Sequence, residues 1–222
     1  MYNLQVMITS NIKAIIFDID GTLHADISWL KLTEGLGASV EKHMEIFDNY
    51  LENKISYKIA KVSLIKLWQK TGNANKKYMA DMFASWNLKP DAHATIDYLK
   101  NKYKVILISG SVDLYVQVVA NKLGVKDWRA NTTLDWDVKG NLTNFHYIRN
   151  QAAKKVNQFI KIKKSMKLKN DNFAVIGDGD SDVALFEKIK CSVMVEKEKA
   201  HPELEVLAYK KVNDLSDLKS MF

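Results

Sequence analysis

Asp18 and Asp20 stand two apart at the end of the apolar run "KAIIFDI", immediately before Gly21 and Thr22. On packing grounds a carboxylate pair is a poor ending for a buried strand, because an ionised group taken out of water without a partner is costly. For chemistry the arrangement is useful: one carboxylate can attack while the other gives and takes a proton. Two more apolar runs end in a similar way. "KVILISG" (104–110) delivers Ser109 and Gly110, and "FAVIGDG" (173–179) delivers Asp178, with Asp180, Ser181 and Asp182 behind it. Gathered carboxylates raise one another's pKa unless a cation neutralises them. All-oxygen donors suit Mg²⁺, which often pairs with phosphate. A hydroxyl and backbone N–H groups ahead of a helix suit an anion. Any one of these endings is ordinary turn composition. Three of them together point to phosphate chemistry.

The elements that must position these residues can be read from the pattern. The three runs, with "CSVMV" (191–195), are short and continuously apolar, as strands buried on both faces of a parallel sheet are. Helical patterns over 91–102, 112–124 and 181–189 alternate with them. Strand and helix in alternation predict an α/β fold with a doubly wound, Rossmann-like parallel sheet core. Residues 24–89 break the alternation. Their stretches 29–37, 40–53 and 57–72 carry apolar residues at three- and four-residue spacing, and the segment is too long for a crossover loop. It reads as a helical cap inserted into a core made of 1–23 and 90–222. A hairpin is expected at 132–144, with Lys139-Gly140-Asn141 as its turn.

Composition narrows the function classes. The chain is 47% hydrophobic and 27% charged, and no stretch approaches the roughly 20 apolar residues of a membrane span. Its start lacks a basic, then apolar, leader, and its single cysteine, Cys191, suits a reducing, cytoplasmic setting. The net charge of +7 is carried by lysine, the only arginines being Arg129 and Arg149. Nucleic-acid readers lean on arginine, so no nucleic-acid partner is expected, and the run Lys161, Lys163, Lys164, Lys167, Lys169 reads as a solvated face. A calcium loop at Asp178 fails on Val183 and Ile189, and neither a P-loop nor a full dinucleotide fingerprint is present.

The ordered stretches Asp18-x-Asp20-Gly21-Thr22-Leu23, Ser109 after "VILI", a lysine at 154–155, and Gly177-Asp178-Gly179-x-Ser181-Asp182 resemble the haloacid dehalogenase-like phosphatases. The helical insert and "LKPDAHATIDYLK" resemble the branch that includes phosphoserine phosphatases, so the likeness covers nearly the whole chain. It implies a phosphomonoester hydrolase with Asp18 as nucleophile and Asp20 as general acid and base. It also implies Mg²⁺ held by Asp18, the Asp20 backbone carbonyl and Asp178, with Thr22 and Asp182 in support. Ser109, Gly110 and a lysine would hold the phosphoryl group of a small phosphorylated substrate.

Helical spacing chooses the lysine. Ala152, Val156, Phe159 and Ile160 define an expected buried stripe, and Lys155 points along it, whereas Lys154 joins Gln151, Gln158 and Lys161 on the wet face. One departure from the branch bears on substrate. Ile27 and Leu64 occupy the positions of the glutamate and arginine that grip phosphoserine, which points away from that amino acid. Trp29, Tyr57 and Trp68 are candidates to line the substrate pocket, and His24 to approach it. A phosphotransferase, a silent basic binding module and a dehalogenase stay open as alternatives.

Overall fold

In a computed structural model, residues 11–196 and 201–222 are described. The leader-free reading of the first residues, and the first part of the 1–23 core segment, lie outside them.

Strand β1 (Ala14–Phe17) is followed by four helices, α1 (Ser28–Gly35), α2 (Val40–Leu51), α3 (Tyr57–Gln69) and α4 (Lys76–Ser85). The chain then runs α5 (Ala92–Lys100), β2 (Lys104–Val112), α6 (Asp113–Lys122), β3 (Asp127–Trp136), β4 (Leu142–His146) and α7 (Gln151–Met166). It finishes with β5 (Phe173–Gly177), α8 (Val183–Phe186), β6 (Cys191–Val195), α9 (Pro202–Leu207), β7 (Lys210–Val212) and α10 (Leu218–Met221). The strands form one seven-stranded sheet in the order β4-β3-β2-β1-β5-β6-β7. All neighbours are parallel except β3 and β4, which form the expected antiparallel hairpin. The first half of β3, parallel to β2, was not visible in the sequence, nor were β7, α9 and α10; α4 falls within the segment read as helical, without its bounds having been singled out. No helix among the described residues is long and apolar enough to cross a membrane.

Alternation along each central strand feeds two cores. Ile15 and Phe17 of β1, Val105 and Leu107 of β2, and Ala174 and Ile176 of β5 face one apolar cluster. Ala14 and Ile16, Ile106 and Ile108, and Phe173 and Val175 face the other, beneath Val156, Phe159 and Ile162 of α7. The first cluster continues without a break into the helices after β1, through Leu32, Leu64, Trp68, Met79 and Phe83. The hairpin fastens those helices to the sheet. Backbone N–H groups of Lys76 and Leu142 donate to the Gly140 and Ala74 carbonyls at 2.8 and 2.9 Å. Gln69 Nε2 donates to the Leu142 carbonyl at 2.8 Å.

The buried side of α7 differs from expectation at two positions. Gln158 is buried, with its Nε2 donating to the Ala130 carbonyl at 2.9 Å, and Ile160 is exposed. Lys155 lies fully buried with Phe159 and Ile162.

Candidate active site

Strand register brings the chemical residues together. Phe17 pairs with Leu107 on one side and Ile176 on the other, and the Asp18 N–H continues the ladder to the Ile176 carbonyl at 3.0 Å. The residues after β1, at the end of β2 and after β5 therefore emerge side by side at the carboxyl edge. On this edge the chain reverses its direction of travel across the sheet, the usual place for a ligand in such folds. Asp18 keeps the parity of Ala14 and Ile16, the face that α7 covers, and Lys155 Nζ of α7 meets Asp18 Oδ1 at 3.0 Å.

Asp182 completes the pairing. Its Oδ1 accepts from Lys155 Nζ at 2.7 Å and its Oδ2 from the Asp178 N–H at 3.2 Å. The carboxylate packs where a side chain on residue 177 would stand: a Cβ there would come within 2.5 Å of it, which is why the strand ends in Gly177. Thr22 Oγ1 donates to Asp178 Oδ1 at 2.5 Å. Burial disfavours the Lys155 ammonium, but Asp18 and Asp182 more than offset this and hold its pKa above the ordinary value.

Asp20 is held by residues the sequence did not single out. Its Oδ2 accepts from the N–H and Oγ of Ser28, at 3.0 and 2.5 Å, at the start of α1. Its Oδ1 is buried without a hydrogen-bond partner. Burial, partly countered by Ser28, pushes the Asp20 pKa up to about 6. Ser28 Oγ lies 2.5 Å from Ser111 Oγ, and the Ser111 N–H donates to Ser109 Oγ at 3.2 Å, so one chain of hydroxyls links the first two motifs. Near here β2 carries one more residue than β3. Ser109 pairs with Ala130 and Val112 with Thr132, and this bulge re-aims Gly110 and Ser111. The expected strand end at residue 110 thus extends to Val112 through a distortion that serves the site.

Oxygens of Asp18, Asp178 and Asp182 lie within 4.8 Å of one another, all buried. Burial comes first among the forces holding the Asp18 pKa well above its ordinary value. Lys155 works against the rise, and Asp182, Asp178 and Asp20 add to it. This carboxylate cluster carries more negative charge than one lysine balances, and its hard oxygen donors fit a small divalent cation. Both Asp182 oxygens are engaged by protein donors, which leaves Asp18 and Asp178 as the side chains suited to hold the ion.

Asp18, Asp20, Gly110 and Asp178 line one end of a cavity of about 380 Å³. Ile27, Trp29, Tyr57 and Leu64 also line it, as the sequence suggested. Trp68 does not: it is fully buried in the core, its Nε1 donating to Thr33 Oγ1 at 2.9 Å. His24 is likewise a core residue, stacked on Trp86 at 5.7 Å. His43, which the sequence left without a role, borders the cavity with Nδ1 2.6 Å from Thr33 Oγ1. Burial lowers its pKa from 6.5 to about 4. The unfolded chain takes up this proton near pH 6.5 and the folded chain only near pH 4, so this contribution to stability is full above 6.5 and is lost as pH falls toward 4. At about 1.4 kcal/mol per pH unit the loss reaches about 3 kcal/mol. Denaturant unfolding at pH 7 and pH 4.5 is expected to show a smaller acid loss in His43→Gln than in the parent protein; equal losses would contradict the assignment.

A family model described as haloacid dehalogenase-like hydrolase matches residues 12–189. No curated protein matches the chain in sequence. Among solved structures, an aspartyl-phosphate intermediate analogue of phosphoserine phosphatase is 24% identical, with a TM-score of 0.71 over 95% of this chain and 98% of that one. A HAD family hydrolase from Salmonella enterica serovar Typhi is 20% identical, with a TM-score of 0.74 over 90% of this chain and 67% of that one. A phosphoserine phosphohydrolase-like protein from Francisella tularensis is 21% identical, with a TM-score of 0.68 over 95% and 100%. These likenesses establish the α/β fold.

Proposed function

The chain belongs to the haloacid dehalogenase-like hydrolase family, and from that premise we propose that it is a Mg²⁺-dependent phosphomonoesterase working through an aspartyl-phosphate on Asp18. The observation that carries the reading is the buried Asp18 carboxylate, 3.0 Å from Lys155 Nζ and clustered with Asp178 at the end of a cavity. Segment 24–89 acts as the cap that encloses this cavity.

The Asp18 carboxylate attacks phosphorus as the ester oxygen leaves, and that oxygen takes the proton carried on Asp20 Oδ1. Ser28 fixes the other oxygen of Asp20, so the proton stays on the face turned toward the substrate. Asp20, now ionised, accepts a proton from the water that attacks the aspartyl-phosphate, and phosphate departs with Asp18 restored. Ser109 Oγ accepts from the Ser111 N–H and has its own hydrogen to donate to a phosphoryl oxygen, beside the Gly110 N–H. Lys155 balances charge on both nucleophile and phosphoryl group. Asp18, the Asp20 carbonyl and Asp178 would hold Mg²⁺, which would supply neutralisation between the two anions.

A cytoplasmic setting belongs to this reading. It is supported by Cys191, whose thiol burial pushes up to about 12, leaving it protonated and unreactive. The test is phosphate release from a panel of monoesters. Chelation with EDTA is expected to lower the rate by at least about 100-fold, with recovery on adding Mg²⁺. A rate indifferent to chelation would remove the metal from the scheme, and no release from any ester would remove the hydrolase.

A further inference from the structure

The walls of the cavity beyond the carboxylates are apolar. Ile27, Trp29, Met44, Phe47, Leu64 and Phe145 form most of them. Beside the hydroxyls of Tyr50 and Ser181, three polar side chains among these walls are engaged by the protein itself. The Tyr57 hydroxyl donates to the Phe145 carbonyl at 3.3 Å and accepts from the Tyr147 N–H at 2.9 Å. Gln151 Nε2 donates to the Ile148 carbonyl and its Oε1 accepts from Asn131 Nδ2, both at 2.5 Å. His43 Nδ1 is engaged by Thr33 Oγ1. Among the described residues Lys61 is the one cationic side chain lining the cavity, and its Nζ rests over the Tyr57 ring, 5.5 Å from the centroid.

Such a surface rewards an apolar body and leaves hydroxyls, amines and carboxylates unpaired. A zwitterion needs an acid for its amine and a base for its carboxylate. Among the described residues the only acids on the lining are Asp18, Asp20 and Asp178, which the phosphoryl chemistry already uses. Trp29 meets Phe145 and Tyr147 edge to face, at 5.7 and 5.9 Å, and these rings add aromatic surface against which an aryl or alkyl group can pack.

We propose that the alcohol part of the substrate is an uncharged apolar group, alkyl or aryl, seated among Ile27, Trp29, Met44, Phe47, Leu64 and Phe145. This rests on the phosphomonoesterase reading and narrows it to esters of lipid-like alcohols or phenols, setting aside phosphoserine and sugar phosphates.

The experiment compares kcat/KM within one leaving-group class, with Mg²⁺ present, so that intrinsic reactivity does not decide the outcome. Among alkyl esters, n-octyl phosphate is expected to exceed phosphoserine and glycerol phosphate by on the order of 100-fold, the factor for burying roughly 100 Å² of apolar surface. Among aryl esters, 2-naphthyl phosphate is expected to exceed phenyl phosphate by about 10-fold, and the arm with the larger gain names the source. Phosphoserine or glycerol phosphate turned over as fast as n-octyl phosphate would overturn the inference while leaving the hydrolase intact. If no ester is hydrolysed, the hydrolase reading fails and binding to the Asp18→Asn protein, read from tryptophan fluorescence, decides. n-Octyl and 2-naphthyl phosphates binding about 30-fold more tightly than phosphoserine would support the apolar seat, and equal affinities would overturn it. Phe47→Asn is expected to lower the octyl-to-phosphoserine ratio about 10-fold; an unchanged ratio would overturn the placement.

Discussion

Asp18→Asn is expected to lose turnover by on the order of 10⁴-fold or more, as removal of a nucleophile does, in a protein that still folds. The amide keeps the shape of the carboxylate but cannot attack phosphorus. Folding should survive because Lys155 retains its second partner, Asp182 at 2.7 Å. The repulsion that Asp178 and Asp182 exert on Asp18 disappears at the same time. A stability change within about 1 kcal/mol follows from these opposing effects. Phosphate release read beside a thermal melt checks both halves. Activity near that of the parent protein would sink Asp18 as nucleophile; an unfolded variant would show that the pair with Lys155 is structurally indispensable.

Lys155→Ala should damage the protein in both respects. The side chain is fully buried, and its removal leaves Asp18 and Asp182 facing each other without a counter-charge. Breaking a buried pair from one side costs about 3–5 kcal/mol, which for a chain of this size lowers Tm by roughly 10 °C. With the lysine gone, the carboxyl of Asp18 is pushed still further toward its protonated form, so fewer molecules carry the nucleophile at pH 7. Lys154→Ala, one residue away and outside this pairing, is expected to change stability by less than about 0.5 kcal/mol. Lys155→Met separates lost volume from lost charge: it should recover part of the stability and none of the activity. Equal effects at 154 and 155 would overturn the assignment.

The parts of the fold legible in the sequence were those written by one physical rule acting locally. The central strands are continuous apolar runs, and Lys155 could be told from Lys154 because a helix repeats every 3.6 residues. Where a partner elsewhere in the chain decides burial, the pattern misled. Gln158 is inside because the Ala130 carbonyl on β3 takes its amide, and no spacing on α7 could announce that. Ser28 is tied to Asp20 across a loop and to Ser111 across 83 residues, so its role exists only in the folded chain. Helix α4 buries only Met79 and Phe83, too thin a stripe to mark its own bounds within the segment read as helical. The aspartates were legible for the opposite reason: they sit where packing alone would not place them.

The β3-β4 hairpin changes the standing of segment 24–89. Main-chain bonds from Lys76 and Leu142, and the grip of Arg149 on the Leu51 carbonyl at 2.8 Å, sew the inserted helices to the sheet edge. The apolar cluster beneath Trp68 runs through both without a seam. Heat should therefore melt the two in a single calorimetric event. Deleting the helices would not return a smaller working ancestor, but a sheet with one oily face open to water and prone to aggregate. Substitutions can re-cut the lining of this cavity residue by residue, whereas exchanging helices α1 to α4 as a block would require rebuilding the hairpin that holds them.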